Sequence, residues 1–320
     1  MGERHTLFAW AERGAITDLR AALGAAGVLP GRRDWRDFLD RLLLWSGAVA
    51  LAAAVVFFIA HNWNDLGKYA KFGLVEVLLV AAVLAYWRLG TEQASGKASL
   101  LVAAILLGAL LALFGQTYQT GADTWELFAN WAGLMLPWVV IGRFAGLWMF
   151  WVAIVNTAIV FYFLVFPGLL GVFFSTERQL WMLFAFNTLA LAAWELAARR
   201  LAWLDERWAP RLLATASGAI VTLLMLQTIF DWKEVSGVAV VAYLAWVGCA
   251  YAAYRVNARD VLILAGGCLS IIVVVTAFLA KVLLESRADS GSFLLISLAV
   301  IGMGAASGWW LKQVANEANA

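Results

Sequence analysis

Long apolar runs of about 20 residues, separated by short polar breaks, fill the chain from residue 42 onward. A run of that length crosses the hydrocarbon of a bilayer as a helix. The pattern predicts ten membrane spans, near 42–60, 71–89, 98–115, 126–141, 146–166, 180–197, 211–230, 236–256, 261–280 and 292–311. The runs are continuous, whereas barrel strands alternate apolar and polar over about 10 residues. The predicted fold class is therefore an all-α, polytopic transmembrane helix bundle. Only Gly142-Arg143-Phe144-Ala145 separates the fourth run from the fifth, which predicts a close helical hairpin. Pro137, near the inner end of the fourth span, reads as a tolerated kink.

Residues 1–40 follow another pattern. Gly14 and Gly24 to Gly27 punctuate short helical stretches, with Thr17 as an expected N-cap. Beyond Pro30-Gly31, Trp35, Phe38, Leu39 and Leu42 recur at helical spacing opposite Arg33, Asp34, Arg36, Asp37 and Asp40. That predicts an amphipathic helix lying along the membrane surface and leading into the first span. The expected organisation is a cytoplasmic or interfacial helical segment over 1–40, a transmembrane domain over 41–312 and a cytoplasmic tail over 313–320. Charge spread through the first 40 residues excludes a signal peptide there.

Composition narrows the function classes. With 64% hydrophobic and 14% charged residues, the chain is too apolar for a single water-soluble core and for disorder. The net charge of +2 builds no field for nucleic acid. The basic residues are unevenly divided. With the N-terminus inside, the outer side holds only Lys68, Lys71, Arg178, Lys233, Lys281 and Arg287, six of the 23. That split predicts both termini in the cytoplasm. Tryptophans agree: Trp45, Trp87, Trp148, Trp194 and Trp309 fall at span ends, where indole prefers the headgroup layer. Trp131 and Trp246 lie deeper and are expected to face other helices.

Candidate chemistry is sparse. Cys249 and Cys268 sit in apolar runs and read as small core residues. His5 and His61 are the only histidines and are far apart, so no zinc spacing exists. No phosphate loop, dinucleotide fingerprint or nucleophile elbow is present, and no cofactor is implied. Glu195 and Arg199 read as an i,i+4 pair at a helix end. Gly304 and Gly308 form a GxxxG, read as a tight contact within the chain. Ser46-Gly47-Ala48 and Ser217-Gly218-Ala219 lie at similar depth but are too short to establish a repeat.

Polar residues collect on the outer side. The candidate binding cluster is His61, Asn62, Trp63, Glu76, Gln116, Tyr118, Asp123, Trp125, Glu126 and Asn130. Carboxylates, amides, a phenol and an imidazole on two helical hairpins make a polar mouth above apolar helices. A local explanation competes. Asp123 and Glu126 have the spacing of a capping box, and Glu76 has Lys68 and Lys71 nearby as ion-pair partners.

These residues also carry a resemblance. Phe114-Gly115-Gln116-Thr117-Tyr118-Gln119-Thr120-Gly121-Ala122-Asp123, Trp125-Glu126-Leu127-Phe128 and Ala60-His61-Asn62-Trp63 with Lys71-Phe72-Gly73 resemble a family of bacterial membrane proteins, domain of unknown function 2157. The resemblance is specific through about residue 140. It carries no catalytic role. It implies a bacterial inner-membrane location and neighbouring membrane proteins as partners in an envelope complex, beside membrane lipid itself. Three function classes stay open: a non-enzymatic membrane subunit, a small-molecule permease, and a membrane enzyme acting on lipid-linked substrates with Glu76, Asp123, Glu126 and His61 as acid–base groups. Neither a ligand nor an oligomeric state follows from the sequence.

Overall fold

The computed structural model describes residues 3–26, 29, 31–61, 65–165, 176–230, 237–257, 259–286 and 290–319. Among the described residues every regular element is helical. Two short helices, α1 (Glu3–Glu12) and α2 (Leu19–Ala25), precede ten long ones. These are α3 (Arg32–His61), α4 (Lys68–Leu89), α5 (Ala94–Tyr118), α6 (Thr124–Gly142), α7 (Ala145–Val165), α8 (Thr176–Ala198), α9 (Trp208–Phe230), α10 (Gly237–Tyr251), α11 (Val261–Ser286) and α12 (Ser290–Asn319). A 3-10 turn, Ala202–Leu204, precedes α9, and a π-helical turn, Ala252–Asn257, extends α10.

The ten predicted spans correspond one to one to α3 through α12. Nine of these helices are long and apolar enough to cross a bilayer by length and composition. The tenth, α6, is 19 residues long and is diluted by Glu126, Asn130 and Pro137. The helix runs unbroken through Pro137. The tight α6–α7 turn is present: Arg143 takes up the left-handed conformation at φ 48°. Gly142 lies so close to α5 that a Cβ would come 2.8 Å from Leu100 Cδ2.

The N-terminal region departs from expectation at two places. Asp18, not Thr17, caps α2: its backbone is extended, and its side chain accepts from the Ala21 N–H at 2.9 Å. The amphipathic stretch from Trp35 to Leu42 forms the opening turns of α3, continuous with the span. The helix has 30 residues, about 45 Å of rise. An unbroken helix has no joint at which a surface helix could turn into the membrane. Trp35, Phe38, Leu39 and Leu42 are all exposed on it.

The chain forms two compact units, residues 1–158 and 159–320. In the first, α5 is the hub. Leu106 and Leu113 pack against Ile59 of α3 and Val75 of α4. Leu100 and Ala104 pack against Ala132, Met135 and Val139 of α6 and Leu147 of α7. In the second, α9 is the hub. Val221 and Ile229 meet Tyr243 of α10 and Val274 of α11, while Ala214 meets Ile263 of α11 and Val314 of α12. The outward faces stay apolar: Phe57, Val77, Leu244, Leu294 and Ile301 are each more than half exposed. Exposed apolar faces on this scale suit hydrocarbon, where lipid is the solvent.

Trp131 and Trp246 face neighbouring helices, as their depth predicts. The Trp131 indole donates to the Ala104 carbonyl of α5 at 2.8 Å, its ring lying over Gly108. Trp246 donates to Ser217 Oγ of α9 at 2.9 Å, its ring lying over Gly218. Ser217 in turn shares a 2.6 Å hydrogen bond with Thr188 of α8. The GxxxG of α12 does not make the expected close contact. Nothing lies within 4 Å of a Cβ built at Gly304 or Gly308, because α12 packs through Trp310, Leu311 and Val314 instead.

Candidate functional site

The outer cluster lies on four helix ends. Successive helices of the first unit alternate in direction. The C-termini of α3 and α5 and the N-termini of α4 and α6 therefore share one end. Ring contacts mark both ends: Phe72 of α4 lies 6.0 Å from Tyr118 of α5 at one, and Trp45 of α3 lies 5.9 Å from Phe144 beside α7 at the other.

At the candidate end, His61 closes α3 and is exposed. Asn62 and Trp63 lie outside the described residues. Gln116 and Tyr118 end α5 and are exposed, with Phe114 4.9 Å from the Tyr118 ring. Gln119 turns the chain at φ 45° and Gly121 at φ 68°. The buried Thr117 hydroxyl among them has no hydrogen-bond partner. Asp123, Trp125 and Glu126 are half-buried at the start of α6, and Asn130 is exposed one turn on.

The expected capping box is only half realised. Asp123 occupies the N-cap position with an extended backbone, and its carbonyl accepts from the Glu126 N–H at 3.0 Å. Its carboxylate makes no cap hydrogen bond. Among the described residues, no hydrogen bond or ion pair joins His61, Glu76, Asp123 and Glu126 to one another. Among the described residues no ion pair joins Glu76 to Lys68; the Lys68 ammonium sits 5.1 Å above the Tyr69 ring. The helix ends bring the candidates to one surface without closing them into a site.

Glu76 stands apart. It lies eight residues into α4, about 12 Å from the helix start. Val75 beside it is fully buried against α5, which turns Glu76 to the opposite, exposed face with Val77, Val80 and Leu84.

Residues 9–148 match the family of predicted membrane proteins called domain of unknown function 2157. The match takes in every member of the outer cluster and lies within the first unit. No curated protein matches the chain, and no solved structure does. This is a membrane protein of many apolar helices, and the family description assigns it no activity.

Beyond the family match, the second unit holds a polar cluster that sequence reasoning missed. Glu195 of α8 does not pair with Arg199. Its Oε1 accepts from the Tyr254 hydroxyl at 2.9 Å and faces Arg207 Nη1 at 3.5 Å. Asp260 is buried and caps α11, accepting from the Leu262 N–H at 3.1 Å. The same carboxylate takes Arg211 Nε at 2.8 Å and lies 3.6 Å from Arg207 Nη2. Tyr254 reaches Glu195 from the π-helical turn, an insertion that recurs at functional sites. Arg255 of that turn pairs with Glu317 of α12 at 2.5 Å. Five helices are thus tied at one end of the unit. The one available sequence signal was the density of charge flanking otherwise apolar runs.

Proposed function

We propose that this protein is a non-enzymatic, multi-pass subunit of the bacterial inner membrane that binds a partner through the outer part of α4. Glu76 carries the reading. A carboxylate on an exposed apolar face, about 12 Å along a spanning helix, is costly in hydrocarbon unless a donor meets it. A membrane helix of a partner bringing a basic or amide side chain would satisfy that carboxylate and cover Val77 and Val80. The polar loop ends at the same surface extend the contact to residues outside the bilayer.

Purification of the tagged full chain in mild detergent tests this. A stoichiometric membrane partner is expected with the native chain. Its recovery should fall about tenfold in Glu76→Ala, at unchanged abundance in the membrane. A native chain that purifies alone, or an equal loss of abundance in the variant, would overturn the reading.

The proposed threading places both termini in the cytoplasm, supported by the uneven division of Lys and Arg. Cysteine placed at Gly121 should react with a membrane-impermeant reagent in intact cells, and cysteine placed at Asp205 should not. The reverse labelling pattern would invert the topology.

A small-solute permease is the second reading, and the second unit supplies its support. A cleft of about 360 Å³ between α9 and α11 is floored by Thr222 and Ser270. These hydroxyls share a 2.6 Å hydrogen bond, and Tyr243 adds a third hydroxyl 3.1 Å from Ser270. Neutral hydroxyls at this depth can line a path for an uncharged polar solute.

A further inference from the structure

The charged end of the second unit holds a half-open cavity of about 320 Å³, lined by Glu195, Ala198, Arg199, Asp205, Arg207, Ala253 and Tyr254. Two features separate it from an ordinary ion-pair lattice. The first is the state of Arg207. Charge-assisted bonds are normally about 2.7–2.9 Å long. Arg207 instead hangs between two carboxylates at 3.5 and 3.6 Å. Both acids make their short bonds elsewhere, Asp260 to Arg211 and Glu195 to Tyr254. Nη2 of Arg207 is buried without a hydrogen bond. The Arg207 side chain is still 36% exposed and lines the cavity, so N–H donors outside that buried Nη2 can take an oxyanion.

The second feature is the balance of the lining. Arg199, Arg207, Glu195 and Asp205 all line the same space. A simple anion would gain from the arginines and lose to the acids. A zwitterion gains from both. The Asp205 carboxylate and Glu195 Oε2 accept no hydrogen bond among the described residues, so both have acceptor capacity for an ammonium. Leu201, Trp208 and Val256, each within two residues of a lining residue in the chain, are exposed. Exposed apolar residues next to a charged cavity, at the end of long apolar helices, suit an amphiphile lying at the headgroup layer.

We propose that this cavity binds a phosphate–ammonium zwitterion, the headgroup chemistry of phosphatidylethanolamine, with the phosphate on Arg199 and Arg207 and the ammonium between Glu195 and Asp205. The assignment is independent of the α4 partner reading, since it uses other residues in the other unit.

Native mass spectrometry of the delipidated full chain tests it, with phosphatidylethanolamine, phosphatidylcholine and phosphatidylglycerol added one at a time. Phosphatidylethanolamine should bind about tenfold tighter than the other two, because choline has no N–H and glycerol no charge. Glu195→Gln should remove that preference without weakening phosphatidylglycerol binding, and Arg199→Gln should weaken binding of all three lipids. Arg199 is exposed and outside the ion-pair network, so its variant keeps the test valid if the Glu195 variant fails to fold. Free phosphoethanolamine separates the sources of the headgroup. Displacement of the lipid by it means that the headgroup alone is recognised and a soluble zwitterion suffices; failure to displace means that the acyl chains contribute. Equal affinity for the three lipids, a preference that survives Glu195→Gln, or binding that Arg199→Gln leaves unchanged would overturn the site.

Discussion

Asp260→Ala is expected to lower the stability of the second unit by about 2–4 kcal/mol. One carboxylate there caps α11 and serves two arginines. The cap alone accounts for about 1 kcal/mol. Breaking a fully buried ion pair costs about 3–5 kcal/mol, because a charge is stranded. Here the Asp260 side chain is 2% exposed but those of Arg211 and Arg207 are 42% and 36% exposed, so water recovers part of the loss. Asp260→Asn keeps a cap acceptor and should lie between the native chain and the alanine variant. Thermal unfolding of the purified full chain, followed by tryptophan fluorescence, is the measurement. A midpoint unchanged in Asp260→Ala would show that the network holds nothing together.

Gly108→Ala should destabilise the first unit by about 1–3 kcal/mol through overpacking. The added methyl would run into the six-membered ring of Trp131. That ring has no room to yield. Its N–H is held by Ala104, Phe128 stacks on it at 6.0 Å, and Phe150 meets it edge-on at 5.6 Å. Gly133→Ala on α6 is the control. Nothing lies within 4 Å of its Cβ, and alanine favours helix over glycine, so the same addition should be neutral or slightly stabilising. Equal effects from the two variants would mean that the close α5–α6 approach at Gly108 is not limiting. Gly218→Ala should repeat the Gly108 result in the second unit, where a Cβ would lie 2.6 Å from the Trp246 ring.

Ten helices, their approximate ends and the inward facing of Trp131 and Trp246 were legible along the chain. Burial of the backbone in hydrocarbon demands that every N–H and C=O be satisfied within its own segment. Apolar run length therefore reports helices directly, and the first and last polar residues report their ends. That His61, Gln116, Tyr118, Asp123, Trp125 and Glu126 lie at helix ends was legible in the same way. The Glu195–Arg199 pairing was misread because spacing along one helix sees only neighbours on that helix. The 3-10 turn at Ala202–Leu204 returns Arg207 to Glu195, and the π-helical turn brings in Tyr254 from 59 residues away. The paired Ser-Gly-Ala motifs divide for a related reason. Gly218 carries the Trp246 ring, while nothing lies within 4 Å of a Cβ at Gly47.

The sequence by itself determined that this is a membrane protein of many apolar helices and which polar residues flank them, because each depends on hydropathy within a single segment. Only the tertiary structure decided which polar groups meet. It left Glu76 facing outward without an ion-pair partner among the described residues, kept the Asp123 carboxylate out of its cap, and gathered Glu195, Arg207 and Tyr254 around a cavity. Those outcomes depend on helix rotation and on turn geometry between segments, and a one-residue change in either moves a side chain by about 100° around its helix.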